Sequence, residues 1–433
     1  VLRLGEVSFK IGSGATPRGG SDVYLSSGVA LIRSQNIYND GFYRDGLVYI
    51  SDAHASELAG VEVQAGDVLL NITGDSVARC CRAPVDVLPA RVNQHVAIIR
   101  PNPDVLDPRY LHYHLISPLK QGEMLSMAGG GGTRNALTKG MIERFEIPAP
   151  DIETQRAIAG VLGSLDDKIE QNRRMTQALE RLARAIFKAW FVDFEPVKAK
   201  AAGATSFPSM RQGVFDALPT TFTDSEIGPL PEGWAVRRAT HVAHVAIGKT
   251  PPRKEPQWFT GDPSQVPWVS IRDMGTCGPF ISRTAEYLTY EAVERFNIRR
   301  IPDASVLLSF KLTLGRVTIA DGEITSNEAI AHFVPELPDI VGTEYLYCYL
   351  IGFDHNRLGS TSSIATATNS QAIKAMPVLV PDSSTAEAFT KTARPLFDLM
   401  RALSRESRRL AAMREYLLPV LFSGRVRVEV ANG

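Results

Sequence analysis

The chain repeats itself, and this limits its possible folds more than any single motif does. GATPRGG from Gly14 returns as GKTPPRK from Gly248, and ALIRSQNI from Ala30 as PWVSIRDM from Pro267. AGDVLLNITGDSVA from Ala65 is answered by DASVLLSFKLTLGRVTIA from Asp303, and RVNQHVAIIRP from Arg91 by ITSNEAIAHFVP from Ile324. DPRYLHYHLIS from Asp107 matches GTEYLYCYLIG from Gly342, and RFEIPAPD and AMPVLVPD end the two copies at Asp151 and Asp382. The spacing hardly drifts: Thr250 follows Thr16 by 234 residues, Leu308 follows Leu70 by 238, Asn327 follows Asn93 by 234, and Asp382 follows Asp151 by 231. A colinear series at nearly constant spacing marks a tandem duplication. At 433 residues the chain has room for two or three domains.

Each copy has the same internal order. Short apolar runs broken by Gly, Pro and Asn come first; VALIRSQNI, GDVLLNIT and HVAIIRP read as strands. DPRYLHYHLIS reads as a helix with proline in its first turn. The expected fold class is therefore α+β, with two repeated mixed domains, each followed by a long helix. In the first long helix Ile158, Leu165, Asn172, Leu179 and Ile186 recur every seven residues, with Val161, Met175, Leu182 and Ala189 at intervening d positions. In the second, Phe389, Leu396, Leu403, Leu410 and Leu417 recur, with Leu399, Met413 and Val420 between them. These are heptad seams, expected to pack on one another, and Asn172 at an a position would fix register. Asp151 is placed to cap the first helix, and Ser384 with Glu387 to form a capping box on the second. Pro395 is expected to kink the second helix or mark its start. From Ile158 to Ala189 an α-helix spans about 45–50 Å, so the helices read as spacers. The segments are 1–150 and 232–381 for the globular domains, 151–196 and 382–425 for the helices, 197–231 for an Ala/Gly/Ser/Thr/Pro-rich linker, and 426–433 for a tail.

The chemistry of an enzyme is missing from the pattern. GGGGTRNALTKG from Gly129 resembles a phosphate cradle, but a P-loop needs Lys directly after its last Gly and a following Ser or Thr. Its counterpart, GSTSSIATATNSQA from Gly359, has lost the glycines, so a cradle shared by both copies is excluded. The GSG at Gly12 lacks the acidic residue of a dinucleotide fingerprint, and neither TPPR at Thr250 nor NPD at Asn102 forms an adenine methyltransferase loop. His112 and His114 have no companions to complete a metal set, and Cys80, Cys81, Cys277 and Cys348 form no C-x-x-C knuckle. No catalytic residue and no metal ligand is expected. The cysteines read as reduced thiols of a cytoplasmic protein. The opening VLRLGEVSFKIG has no basic region before an apolar core, so a secretory signal is not expected there. The 47 basic and 47 acidic residues cancel, which excludes a simple polycation but not a local basic face.

What recurs is a set of polar and basic residues in matched turns. The first copy places Thr16, Arg18, Arg33, Ser34, Gln35 and Asn36 there, with Arg79, Gln94, Arg134 and Asn135. The second places Lys249, Thr250, Arg253, Lys254, Arg272 and Asp273, with Lys311, Arg316, Asn327 and Asn369. Arg, Gln, Asn, Ser and Thr read base edges, and Lys and Arg grip phosphates. These residues are the candidate DNA-binding set. A coiled-coil scaffold that organises proteins without reading DNA is the alternative.

Over essentially its full length the chain resembles the specificity (S) subunit of type I restriction–modification systems. RAIFKAWFVDFEPVKAKAAG from Arg184, with GPLPEGW ending at Trp234, is similar to the segment after the first spacer helix of that family, and LLPVLFSGRV from Leu417 stands at the matching place in the second copy. The resemblance implies two target recognition domains, each reading one half of a bipartite DNA site, and two helices paired as an antiparallel coiled coil. It implies two modification subunits carrying S-adenosylmethionine, and restriction subunits using ATP and Mg, with no cofactor on this chain. Because the loops of the two copies differ, an asymmetric target is expected, its halves separated by about one DNA turn, roughly 34 Å. Pro395 and Asn172, whose repeat position in the second helix is Leu403, depart from perfect symmetry.

Overall fold

The computed structural model describes residues 1–129, 135–355, 370–426 and 428. The chain forms two compact units, Val1–Glu170 with Ser407–Gly433, and Gln171–Glu406, so the boundary falls inside both long helices.

In the first unit a sheet of Ser8–Ser13, Val96–Pro101, Val68–Asn71 and Cys80–Arg82 has hydrophobic cores on both faces. Side chains alternate across a strand. Val68, Leu70, Ala97 and Ile99 enter one core, with helix Pro108–Ile116. Leu69 and Ile98 enter the other, beneath a second sheet of Val48–Ile50, Val29–Ile32, Ala90–Val92 and Glu62–Val63. Burial on both sides is why these strands read as unbroken apolar runs. The helix starts where Asp107 accepts the amides of Arg109 and Tyr110 at 2.8 and 3.1 Å.

The second unit repeats this plan. Its five-stranded sheet runs Ala243–Ile247, Ile330–Pro335, Val306–Ser309, Val317–Ala320 and Phe280–Ile281. Leu307 and Ile330 face one core; Val306, Leu308, Ala331 and Phe333 face the other. The parallel pairing of Val29–Ile32 with Ala90–Val92 recurs as Val266–Val269 with Thr325–Ser326. A short antiparallel pair closes each domain: Leu2–Arg3 on Glu146–Ile147, and Ala235–Arg238 on Pro377–Val380.

The long helices are Ile152–Phe191 and Ser383–Phe422, 40 residues each. Asp151 caps the first, accepting from the Thr154 amide at 2.9 Å and hydroxyl at 2.8 Å. The second corrects the expected capping box. Its cap is Asp382, which accepts the Thr385 amide and hydroxyl at 2.9 and 2.6 Å; Ser384 lies inside the helix and Glu387 pairs with Lys391. The helix also runs unbroken through Pro395, so that residue does not mark its start.

The heptad reading needs a correction as well. Of the expected d positions, Val161, Met175, Leu182, Leu399 and Met413 are 37–52% exposed, while Ala189 and Val420 are half-buried. The residues four after the a positions are buried instead: Leu162, Thr176, Ala183 and Trp190 in the first helix, Ala393, Met400 and Leu421 in the second. Each helix also covers a globular domain, and that draws the stripe to the a/e side. Ile158 and Leu162 share a core with Tyr113, and Phe389 and Ala393 share one with Tyr345. Leu418 and Leu421 join Ile158 in the first unit; Phe187 meets Phe389 edge-on, with ring centroids 5.6 Å apart, in the second. Asn172 is buried and donates to Glu406 at 2.7 Å.

The segment 197–231, expected to be a linker of little periodicity, forms helices Glu195–Ala201 and Gln212–Ala217 and a strand pair. Val197, Phe215, Leu218 and Leu230 anchor it in the core of the second unit. Phe207, Met210, Val214, Phe222 and Ile227 pack against the same core, and the uneven spacing of these anchors sets no period. Cys80, Cys81 and Cys348 are buried and Cys277 is half-buried.

Burial pushes His112 and His114 of the first unit and His332 of the second down to about 4 from the usual 6.5, assisted by Arg82, Lys120 and Arg299 respectively. The unfolded chain protonates these rings as pH falls through 6.5 while the folded chain does not. Their stabilising contribution is therefore full above about pH 6.5 and is lost as pH falls towards 4, by as much as about 3 kcal/mol per ring. Urea unfolding at about pH 7.5 and about pH 5 will show this loss in the parent chain, and a smaller loss in His332→Leu.

Candidate nucleic-acid interface

The exit from Ser8–Ser13 in the first unit, and from Ala243–Ile247 in the second, passes very close to a second turn. In the first unit the Gly14 amide donates to Val96 at 2.8 Å and the Ala15 amide to Val92 at 3.0 Å. In the second, Gly248 donates to Ile330 at 3.1 Å and Lys249 to Ser326 at 2.8 Å. Both glycines are required by this approach. A Cβ on Gly14 would overlap the carbonyl oxygens of Val92 and Asn93, and one on Gly248 those of Ser326 and Asn327. The approach sets the next threonine against the facing turn. Thr16 donates its hydroxyl to Gln94, and Thr250 donates to Glu328, each pair 78 residues apart.

A third turn lies beside these. The Ile32 carbonyl accepts from Asn93 at 3.0 Å and the Val269 carbonyl from Asn327 at 3.1 Å. The next residues turn in the same way. The Arg33 amide donates to Asn36 Oδ1 at 3.1 Å, and the Ser270 amide to Asp273 Oδ2 at 2.8 Å. A fourth turn joins them, with Asn71 Nδ2 donating to the Ser34 carbonyl at 2.8 Å, and Arg316 Nη1 to the Ile271 carbonyl at 2.6 Å.

These frames sort the candidate residues. Several brace the turns. Asn36 is fully buried and donates to the Tyr43 and Asp45 carbonyls. Asp273 and Asn327 accept backbone amides, and Arg316 is spent on Ile271. Others are held but accessible. The Arg33 guanidinium donates to the Gly46 carbonyl, and Arg79 lies 4.6 Å over the Tyr38 ring. Arg253 stacks on Phe259 and Trp268 at 4.1 and 4.5 Å and meets Glu286 through both terminal nitrogens at 2.8 and 2.9 Å. Lys249 donates to the Phe296 carbonyl at 2.6 Å, and Lys311 lies over its neighbour Phe310. Ser34 is half-buried in its turn. Thr16, Arg18, Gln35, Gln94 and Asn135 of the first unit are exposed, as are Lys254 and Arg272 of the second, with Thr250 half-exposed. Asn135 keeps to the same surface, its carbonyl accepting from Gly74 at 3.1 Å. Arg134 and Asn369 lie outside the described residues.

Two residues escape a reading of the sequence. Glu328 is the repeat counterpart of Gln94, and the constant spacing of 234 is the signal that finds it. His95 joins the first unit's network, its Nε2 3.1 Å from Gln94 Nε2 and its Nδ1 2.7 Å from the Thr73 hydroxyl; no repeat signal marks it.

A family profile described as the type I restriction modification DNA specificity domain matches residues 3–181 and again 231–406. The chain is 26% identical over 441 residues to the HindI type I restriction enzyme specificity subunit of Haemophilus influenzae, covering 92% of this chain and 94% of that one. It is 24% identical over 364 residues to the MjaIX specificity subunit of Methanocaldococcus jannaschii, covering 80% and 77%. Its fold is similar to that of a type I restriction-modification system S subunit from M. genitalium, with a TM-score of 0.54 at 13% identity over 97% of this chain and 95% of that one.

Gly14→Ala and Gly248→Ala are each expected to cost about 1–3 kcal/mol by overpacking. Chemical denaturation checks this, with Gly12→Ala, where a Cβ meets nothing within 4 Å, as the control.

Proposed function

This chain belongs to the type I restriction–modification DNA specificity family, and on that premise we propose how its two units divide the work. The chain is the DNA sequence-specificity subunit of a type I restriction–modification complex. Residues 1–150 and 232–381 each act as a target recognition domain and read one half of a bipartite, asymmetric site. The observation that carries this reading is the doubled turn frame: the same backbone hydrogen bonds recur in each unit while the side chains standing on them differ. A fixed frame with variable side chains suits two readers of two different sequences. It does not suit a scaffold, which has no reason to keep the frame.

Direct base reading falls to the accessible polar residues, among them Thr16, Gln35 and Gln94 in the first domain and Thr250 and Arg272 in the second. Phosphate contact falls to Arg18, Lys249 and Lys254, with Arg33 held over the Tyr24 ring and Arg253 over Phe259 and Trp268. The two long helices pair antiparallel as a coiled coil. That pairing is supported by Leu418 and Leu421 sharing a core with Ile158 in one unit, and by Phe389 meeting Phe187 in the other. So paired, they set the distance between the half-sites and give modification subunits a surface to dock on. The chain is non-catalytic. Methyl transfer from S-adenosylmethionine belongs to two modification subunits, and ATP- and Mg-dependent steps belong to restriction subunits, all in the cytoplasm. Among the described residues no helix is long and apolar enough to cross a membrane.

The test is a methylome. The full chain is expressed with its modification subunit in a host without adenine methylation, and methylated adenines are mapped. One bipartite, asymmetric motif is expected, and exchanging residues 1–150 for another recognition domain should rewrite one half of it only. A stable, purified complex that methylates nothing would overturn the reading.

A further inference from the structure

The Thr16–Gln94 and Thr250–Glu328 pairs are one device built twice with different chemistry. In both, a glycine that cannot carry a side chain brings the threonine to the same turn, and the threonine hydroxyl holds the side chain two residues before the next strand. Both held side chains are exposed. The frame does not dictate what is held, since an amide stands there in one unit and a carboxylate in the other. From this we infer that repeat position 94/328 selects one base in each half-site, adenine through Gln94 and cytosine through Glu328. The inference rests on the DNA-reading function proposed above and goes further by naming residues and bases.

The chemistry of the two groups gives the assignment. A primary amide has two N–H donors and two carbonyl lone pairs. In Gln94 the Thr16 hydroxyl takes one lone pair and the His95 ring faces one N–H, so one acceptor and one donor remain. Adenine presents the complement in the major groove, the N6–H donor beside the N7 acceptor. A carboxylate only accepts. In Glu328 the hydroxyl of Thr250 engages Oε2, and Oε1 carries no hydrogen bond among the described residues. Phosphates repel this group, so its partner on DNA is a base-edge donor. Adenine is a poor choice, because its N7 lone pair would face the second carboxylate oxygen. Cytosine carries no acceptor of its own beside its N4 donor, where adenine carries N7 beside N6. The threonine serves to fix each group, so that less rotamer freedom is lost when a base docks.

The experiment uses the full chain with its modification subunit and compares the methylated motif of the parent with those of Gln94→Glu, Glu328→Gln, Gln94→Ala and Glu328→Ala. Gln94→Glu should move one position of one half-site from adenine towards cytosine, and Glu328→Gln should do the reverse in the other half. The preference should change by about 5- to 150-fold, the discrimination expected of one good base contact. The alanine variants should make the same single position degenerate and keep the rest of the motif. If the parent methylates a bipartite motif and all four variants keep it unchanged, the inference falls and the specificity function stands. Loss of preference spread over a whole half-site would also overturn it, since that is what a structural brace would produce. A parent complex without any motif would remove the specificity function itself, and this inference with it.

Discussion

The close passage of Gly14 over the Val92–Val96 turn, and of Gly248 over Ser326–Ile330, is the constraint on which the clustered turns of each unit depend. Two backbones that approach this closely are locked by their own hydrogen bonds. Whatever stands on the neighbouring turns inherits a fixed position. Side chains can then vary without the frame giving way, which is why the two copies share so much backbone geometry and so little loop sequence. Asn36 and Asp273 show the principle in miniature: an amide in one unit and a carboxylate in the other accept the same kind of backbone amide.

Much of this is legible in the sequence. The duplication, the strand-rich domains and the two long helices follow from spacing and periodicity, because a buried strand must be apolar and a long helix must keep one stripe apolar. The seam is displaced by one step from the heptad expectation. A heptad of apolar a positions leaves open which neighbouring positions are buried; the globular domains settle that by covering the a/e side and leaving Met175 and Leu182 exposed. The cap at Asp382 is masked by the local attraction of Ser384 and Glu387, although its repeat partner Asp151 is recognisable as a cap. The packed segment 197–231 is hidden because its apolar anchors are unevenly spaced in a polar stretch and leave no period.

The candidate site is legible as a set of residue types in matched turns, but not as a division of labour. Composition cannot separate an asparagine that braces a turn from one that faces solvent. Asn36 and Gln35 are adjacent, yet one is fully buried and the other exposed, and only the folded chain distinguishes them. Glu328 is hidden for a different reason: nothing around it sets it apart until its position is aligned with that of Gln94, 234 residues earlier.

The short pair formed by Ala235–Arg238 and Pro377–Val380 sets Ala235 directly opposite Val380. To the rest of the chain, everything between those residues is a loop whose ends already touch. The entropy of closing such a loop grows only slowly with its length. A change in the number of residues inside the loop therefore adds little closure entropy, so long as the closing pair is kept. What the loop cannot give up is the face it turns to the long helices: Tyr345 meets Phe187 and Phe389 edge-on, with ring centroids 5.0 and 6.1 Å away. The junction thus tolerates variation at the far turns of the domain and resists it at the clasped end.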